Sequence, residues 1–197
     1  MTYCLGIKVN QGIAMVSDSR TSAGVDNIST YSKMWKFGVP GQRQFVLCSA
    51  GNLATTQKQN TGGGAMFETT FLLGGEIAGA SNGLYMIYSL GNFIASSEQV
   101  PFLQIGETKY GKPILDRVIQ PDTPIERAAL CGLVSMEATI RSNLGVGPPV
   151  EIYLLDAGTL QPGRYLIFQE EDNYLHALRQ SWNQLMQESF DKLNPLV

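Results

Sequence analysis

The residues able to do chemistry in this chain are few. It holds one histidine, His176, and three cysteines, Cys4, Cys48 and Cys131, far apart and without CxxC spacing. A single imidazole cannot build a cluster of histidine ligands. An odd, scattered set of cysteines reads as reduced core thiols rather than a disulfide frame or a metal knuckle. There is no GxxxxGK[ST] run and no strand-linked GxGxxG. The cluster Gly62-Gly63-Gly64 is followed by Ala65-Met66-Phe67, with no lysine for a phosphate, and reads as a turn. No metal and no cofactor is expected. A Ser-His-Asp triad would have to use His176, which reads as a lone surface histidine at the start of a helix. Thr2 needs no histidine. Once Met1 is removed, its hydroxyl is a nucleophile and its own α-amine, with a reference pKa of about 7.7–8, is a general base.

Partners for such a threonine are present. Asp18 closes the second apolar run in Ser17-Asp18-Ser19-Arg20, and Lys33 opens the aromatic stretch Lys33-Met34-Trp35-Lys36-Phe37. An Asp18–Lys33 pair beside Thr2 would set a positive charge where it favours the neutral amine and a developing alkoxide. Gly51, in Ser49-Ala50-Gly51-Asn52, suits the close approach of a substrate and can offer a backbone N–H to an oxyanion. Each also has a plainer reading: Asp18 as a strand-end turn residue, Lys33 as a solvated edge charge, Gly51 as a turn.

The elements that must position these residues follow from periodicity. Residues 3–9 and 12–17 are apolar runs joined by Asn10-Gln11, a hairpin signal. Residues 33–37 and 45–49 flank Gly38-Val39-Pro40-Gly41 as a second hairpin, and 69–77 and 83–89 form a third around Asn82-Gly83. Thr123-Pro124-Ile125-Glu126 reads as an N-cap, a proline at the first helical position and a capping-box glutamate. After it Ile125, Ala129, Leu133, Met136 and Ile140 recur at helical spacing, predicting a helix over 124–142. Residues 150–156 and 164–170 read as another strand pair. A last helix is capped by Asp172, with Leu175, Leu178, Trp182 and Leu185 as a core stripe. Hairpins dominate, so the fold class is α+β, with antiparallel sheets and helices layered on them, in a single domain over 1–197.

Composition excludes several classes of partner. The 197 residues are 44% hydrophobic and 16% charged, with 21 glycines and a net charge of −3, which gives no electrostatic case for nucleic acid or an anionic membrane. No apolar run approaches the roughly 20 residues that span a bilayer. The first residues lack the basic start and apolar stretch of a signal peptide. A cytoplasmic location is expected.

The runs MTYCLGIKVNQGIAMVSDSRTSAGVDNISTYSKMWKF and FVLCSAGNLATTQ resemble the bacterial proteasome-like family called Anbu, and more distantly proteasome β-subunits and the heat-shock protease HslV. FLLGGEI, YSLGNFI, PFLQIGETKYGKPILDRVI and SMEATIRSNLGVGPPVEIYLL extend the likeness over nearly the whole chain. The resemblance implies the four-layer αββα N-terminal-nucleophile hydrolase sandwich. It puts the nucleophile on Thr2 after loss of Met1, Asp18 and Lys33 as its partners, Arg20 in the adjacent family position and Gly51 in the oxyanion hole. Tyr110 and Asn143 fall near positions where proteasome subunits place a serine and an aspartate supporting the amine, and as weaker support they depart from that pattern. With no propeptide ahead of Thr2, maturation would be methionine removal.

The resemblance also predicts a pair of long helices after Gly51, for which residues 52–69 are too few at 1.5 Å per residue, so this helical layer is expected to be shortened. The implied activity is a threonine-type peptidase acting on a peptide or unfolded chain segment, in a homo-oligomeric ring or ring-like array. The alternatives are an amidohydrolase for a small amide and a catalytically weak structural subunit.

Overall fold

A computed structural model of the chain describes residues 1–22, 28–51 and 69–196. Two five-stranded antiparallel sheets form its centre. In chain order the strands are β1 (Tyr3–Val9), β2 (Gly12–Asp18), β3 (Arg20–Ser22), β4 (Ile28–Thr30), β5 (Met34–Val39) and β6 (Arg43–Ala50). Next come β7 (Thr70–Ile77), β8 (Gly83–Ile87), β9 (Phe93–Ala95) and β10 (Phe102–Gly106). Two helices follow, α1 (Lys112–Val118) and α2 (Ile125–Ser142), then β11 (Val150–Asp156), β12 (Arg164–Phe168) and α3 (Asn173–Asp191). The first sheet has the order β10-β1-β2-β11-β12 and the second β5-β6-β7-β8-β9, with β3 and β4 a separate two-stranded ribbon. The α+β class and its layered antiparallel sheets are as the sequence predicts. The expected shortening of a helical layer over 52–69 lies, apart from Thr69, outside the described residues.

Strands β1 and β2 are buried on both faces, which is why they read as nearly unbroken apolar runs. Alternate residues Tyr3, Leu5, Ile7 and Val16 pack with Leu115 of α1 and with Leu133 and Met136 of α2. The opposite set, Cys4, Ile13 and Met15, packs with Val46, Cys48, Leu72 and Leu84 of the second sheet. The first sheet is thus clamped between helices and the second sheet, and its strand ends are held where its neighbours put them. No helix among the described residues is long and apolar enough to cross a membrane.

Helix α2 runs where its periodicity predicts, with Ile125, Ala129, Leu133 and Met136 buried. Its start is different. The capping box does not form: Thr123 Oγ1 accepts from the Gln120 N–H (2.9 Å), and Glu126 pairs with Arg164 (3.0 Å). The Ile125 N–H is instead capped by Gln11 Oε1 (2.9 Å) from the β1–β2 turn, a partner 114 residues away that no local pattern shows. Asp172 does cap α3, accepting from the Tyr174 N–H (2.8 Å). The stripe beyond it is core only at its start: Leu175 is buried and Leu178 packs partly buried against the same core, whereas Leu185 is 55% exposed. The sequence also left β9, β10 and α1 unmarked. These are short elements whose order depends on the sheet or helix beside them.

Replacing Gln11 by alanine orphans the first N–H of α2, and the expected loss is about 1 kcal/mol in chemical denaturation. An equal or larger loss in Thr123→Ala would show that the local residue governs this helix start.

Candidate active site

One end of the first sheet gathers the N-terminus of β1, the C-terminus of β2, the C-terminus of β10 and the N-terminus of β11. The registers Tyr3↔Gly106, Cys4↔Ser17 and Val150↔Asp18 set this arrangement. One step beyond the β1–β2 ladder, the Tyr3 N–H donates to Asp18 Oδ1 (2.9 Å). Asp18 Oδ2 accepts from the Gly147 N–H (3.3 Å). The Asp18 side chain has no exposure, and Lys33 is only 6% exposed. Lys33 Nζ donates to Asp18 Oδ1 (2.7 Å) and to the Arg20 carbonyl (2.7 Å), and lies 3.5 Å from the Met1 carbonyl oxygen. That carbonyl is the acyl group on the Thr2 nitrogen, so the ammonium lies beside the peptide group whose cleavage would free the Thr2 α-amine.

Thr2 is half-buried, and its carbonyl accepts from the Glu107 N–H (2.8 Å). Gly106 makes this contact possible. Its φ of +83° is in the left-handed region, and a Cβ there would collide with the Thr2 carbonyl. The Glu107 carboxylate is buried and accepts from Asn143 Nδ2 (2.9 Å), while Asn143 Oδ1 accepts from the Gly145 N–H (2.9 Å). Gly145 packs against Met1, so a chain of contacts joins Asn143 to the N-terminus.

The other candidates are distributed unevenly. Arg20 contributes its carbonyl to Lys33, and its guanidinium turns away, donating to the Leu144 carbonyl (3.3 Å) and Glu170 (3.4 Å). Gly51 is exposed and follows β6 at the end tied to Lys33, where the Ser49 N–H donates to the Lys33 carbonyl (3.2 Å). Tyr110 is 39% exposed with the Lys109 ammonium 5.2 Å from its ring, and no contact among the described residues links it to Thr2. His176 is on the surface of α3, 4.0 Å from Glu171.

Of the buried carboxylates that no sequence motif marks, two lie at this end of the first sheet, Glu107 and Glu151. Glu107 adjoins the strand-ending glycine of FLQIG. Glu151 is the lone charge inside the apolar strand VEIYLL, and that interruption was the available signal.

Electrostatics separate the nucleophiles. Burial, with Cys48 beside it, pushes the Cys4 thiol well above its ordinary range, and burial takes Cys131 up to about 11. Both stay protonated and inert near neutrality. Burial also raises Asp18 above its ordinary 3.8, against the opposing pull of Lys33 and of the Tyr3 and Gly147 N–H groups.

Solved structures resemble the chain along its whole length. An Anbu mutant from Hyphomicrobium sp. strain MC1 is 35% identical at a TM-score of 0.94, with 100% of each chain covered. The chain belongs to the Anbu family. Anbu from Yersinia bercovieri, described as an ancestral β-subunit, is 36% identical at a TM-score of 0.90, covering 99% of this chain and 98% of that one. The Anbu complex of Pseudomonas aeruginosa, described as a helical assembly, is 35% identical at 0.91, with 99% and 98% covered. No protein-family model and no curated protein sequence matches the chain. The Anbu likeness agrees with the layered α+β sandwich of antiparallel sheets, a proteasome-like, N-terminal-nucleophile hydrolase architecture.

Gly106→Ala forces a Cβ onto the Thr2 carbonyl in a strained backbone region. The expected loss is about 1–3 kcal/mol in chemical denaturation, and wild-type stability would show that the contact relaxes freely. For Asp18 the folded state holds its proton to higher pH than the unfolded chain. Its contribution to stability is therefore full below the unfolded value of about 4 and is lost as pH rises through the folded one. Carbon-detected NMR should find the Asp18 midpoint above 3.8, and the stability of wild type relative to Asp18→Asn should fall across that window. A midpoint at or below 3.8 contradicts this.

Proposed function

We propose that this Anbu chain is a threonine-type peptidase subunit that cleaves peptide bonds through Thr2 after Met1 is removed. The observation that carries the reading is the buried Lys33–Asp18 pair, whose ammonium is directed at the acyl group on the Thr2 nitrogen. With Met1 gone, Thr2 Oγ attacks the peptide carbonyl and its proton passes to the neutral α-amine. The Lys33 charge stabilises the developing alkoxide. A backbone N–H, for which we assign Gly51, holds the tetrahedral oxyanion. Collapse breaks the C–N bond, and the α-ammonium gives its proton to the leaving amine. The resulting ester on Thr2 is hydrolysed by water, activated by the same amine, and Oγ regains its proton.

The proposed substrate is a peptide or unfolded chain segment, and we take residues 1–197 as one proteasome-β-like domain. Homo-oligomerisation into a ring or ring-like array fits the helical assembly of the Pseudomonas aeruginosa protein. It also fits the exposure of Leu185, Met186 and Phe190 on α3. Buried free thiols fit a reducing cytoplasm.

Intact mass of the purified protein should show loss of one methionine residue. An electrophilic peptide should modify wild type covalently, Thr2→Ala should show no modification, and Lys33→Ala should react about 10²–10³-fold more slowly. Retained Met1, or undiminished reaction in Lys33→Ala, refutes the proposal. Turnover of small amides but not peptides would point to an amidohydrolase.

A further inference from the structure

Glu151 is a buried carboxylate that the proposed mechanism does not use. It sits in β11 opposite Ser17 of β2 and Ile167 of β12, with 1% exposure. Its Oε1 accepts from Ser19 Oγ (2.6 Å), and its Oε2 accepts from Ser32 Oγ (2.9 Å) and from the Tyr165 hydroxyl (2.6 Å). Three hydroxyls, and no cation among the described residues, meet this charge. An apolar side chain would fill the position at lower desolvation cost if packing were the only demand.

The donors are placed to a purpose. Ser19 lies between Asp18 and Arg20, the two residues whose oxygens receive Lys33 Nζ at 2.7 Å. Ser32 immediately precedes Lys33, and while its one hydroxyl proton goes to Glu151 its oxygen accepts from the Met34 N–H (3.3 Å). A backbone bond from the Tyr31 N–H to the Ser19 carbonyl (2.8 Å) laces the same two segments. The ribbon β3–β4 separates them in sequence, so the approach of Lys33 to Asp18 depends on ties across its base.

We infer that Glu151 is a positioning residue for the Asp18–Lys33 pair, its carboxylate bridging Ser19 and Ser32 so that the ammonium stays seated between Asp18 and the Arg20 carbonyl. The inference rests on the threonine-hydrolase reading for its catalytic consequence and on the geometry alone for its effect on the pair. The groups facing Asp18 are Lys33, the Tyr3 and Gly147 N–H groups and the Cys4 thiol. The Arg20 guanidinium is engaged elsewhere, so loosening Lys33 removes the neighbouring cation that draws the Asp18 carboxyl down.

The test uses the full chain and two readouts: the Asp18 midpoint by carbon-detected NMR, and the rate of Thr2 capture by an electrophilic peptide across pH. Glu151→Ala should raise the Asp18 midpoint and slow capture about tenfold or more. Glu151→Gln, whose amide oxygen accepts from one serine while its NH2 group donates to the hydroxyl oxygen of the other, should restore most of both. If Glu151→Ala does not fold, Ser32→Ala carries the same expectation in weaker form, since it cuts only the tie on the Lys33 side. A folded Glu151→Ala, or in its place Ser32→Ala, with wild-type midpoint and capture rate overturns the inference. Failure of wild type to be captured at all refutes the hydrolase reading instead, and the Asp18 midpoint still decides the role of Glu151.

Discussion

The structure depends most on keeping one ion pair dry. Asp18 and Lys33 are both buried, and their 2.7 Å contact is formed where water cannot share it. Removing two charges from water is costly, and the pair persists because each partner is also satisfied by the backbone. Asp18 receives the Tyr3 and Gly147 N–H groups, and Lys33 reaches the Arg20 carbonyl. These backbone groups belong to β1, to the loop after α2 and to β3. The pair is therefore also a lock on the relative positions of three separate stretches of chain.

The layered sandwich supplies the rigidity that this lock requires. Because β1 and β2 are covered on one side by α1 and α2 and on the other by the second sheet, their ends cannot slide without disturbing two cores at once. The same burial keeps Cys4 and Cys131 inert and lifts Asp18 above its ordinary range. A hydrophobic environment that suppresses these thiols and strengthens the salt bridge fits the proposal that Thr2, freed of Met1, is the reacting group.

Much of the fold was legible wherever burial has a period. The paired strands at 3–9 and 12–17 and the helix at 125–142 follow from alternation and from the 3–4 spacing of Ile125, Ala129, Leu133 and Met136. The stripe on α3 misled past Leu178, because Trp182 and Leu185 have the right spacing but no opposing layer deep enough to bury them. The start of α2 misled for a related reason. Thr123 and Glu126 form a good local cap in sequence, yet Thr123 takes the Gln120 N–H, Glu126 pairs with Arg164, and Gln11 caps the Ile125 N–H in their place.

Within the candidate site, residue types pointed to Thr2, Asp18, Lys33 and Gly51 because the scarcity of histidine and clustered cysteine left little else, and the family likeness set Arg20, Tyr110 and Asn143 beside them. Glu107 was not legible, since nothing local marks a glutamate enclosed by elements distant in the chain, and for Glu151 the one local sign was a charge interrupting an apolar strand, which does not name its partners. Taken alone, the sequence determined the chemical inventory and the repeating elements, because both are properties of residues and their near neighbours. Only the tertiary structure decided that Lys33 sits on Asp18, that Glu107 meets Thr2 and that Glu151 joins Ser19 to Ser32. Those contacts are made across strand ends, where packing brings together residues that spacing leaves apart.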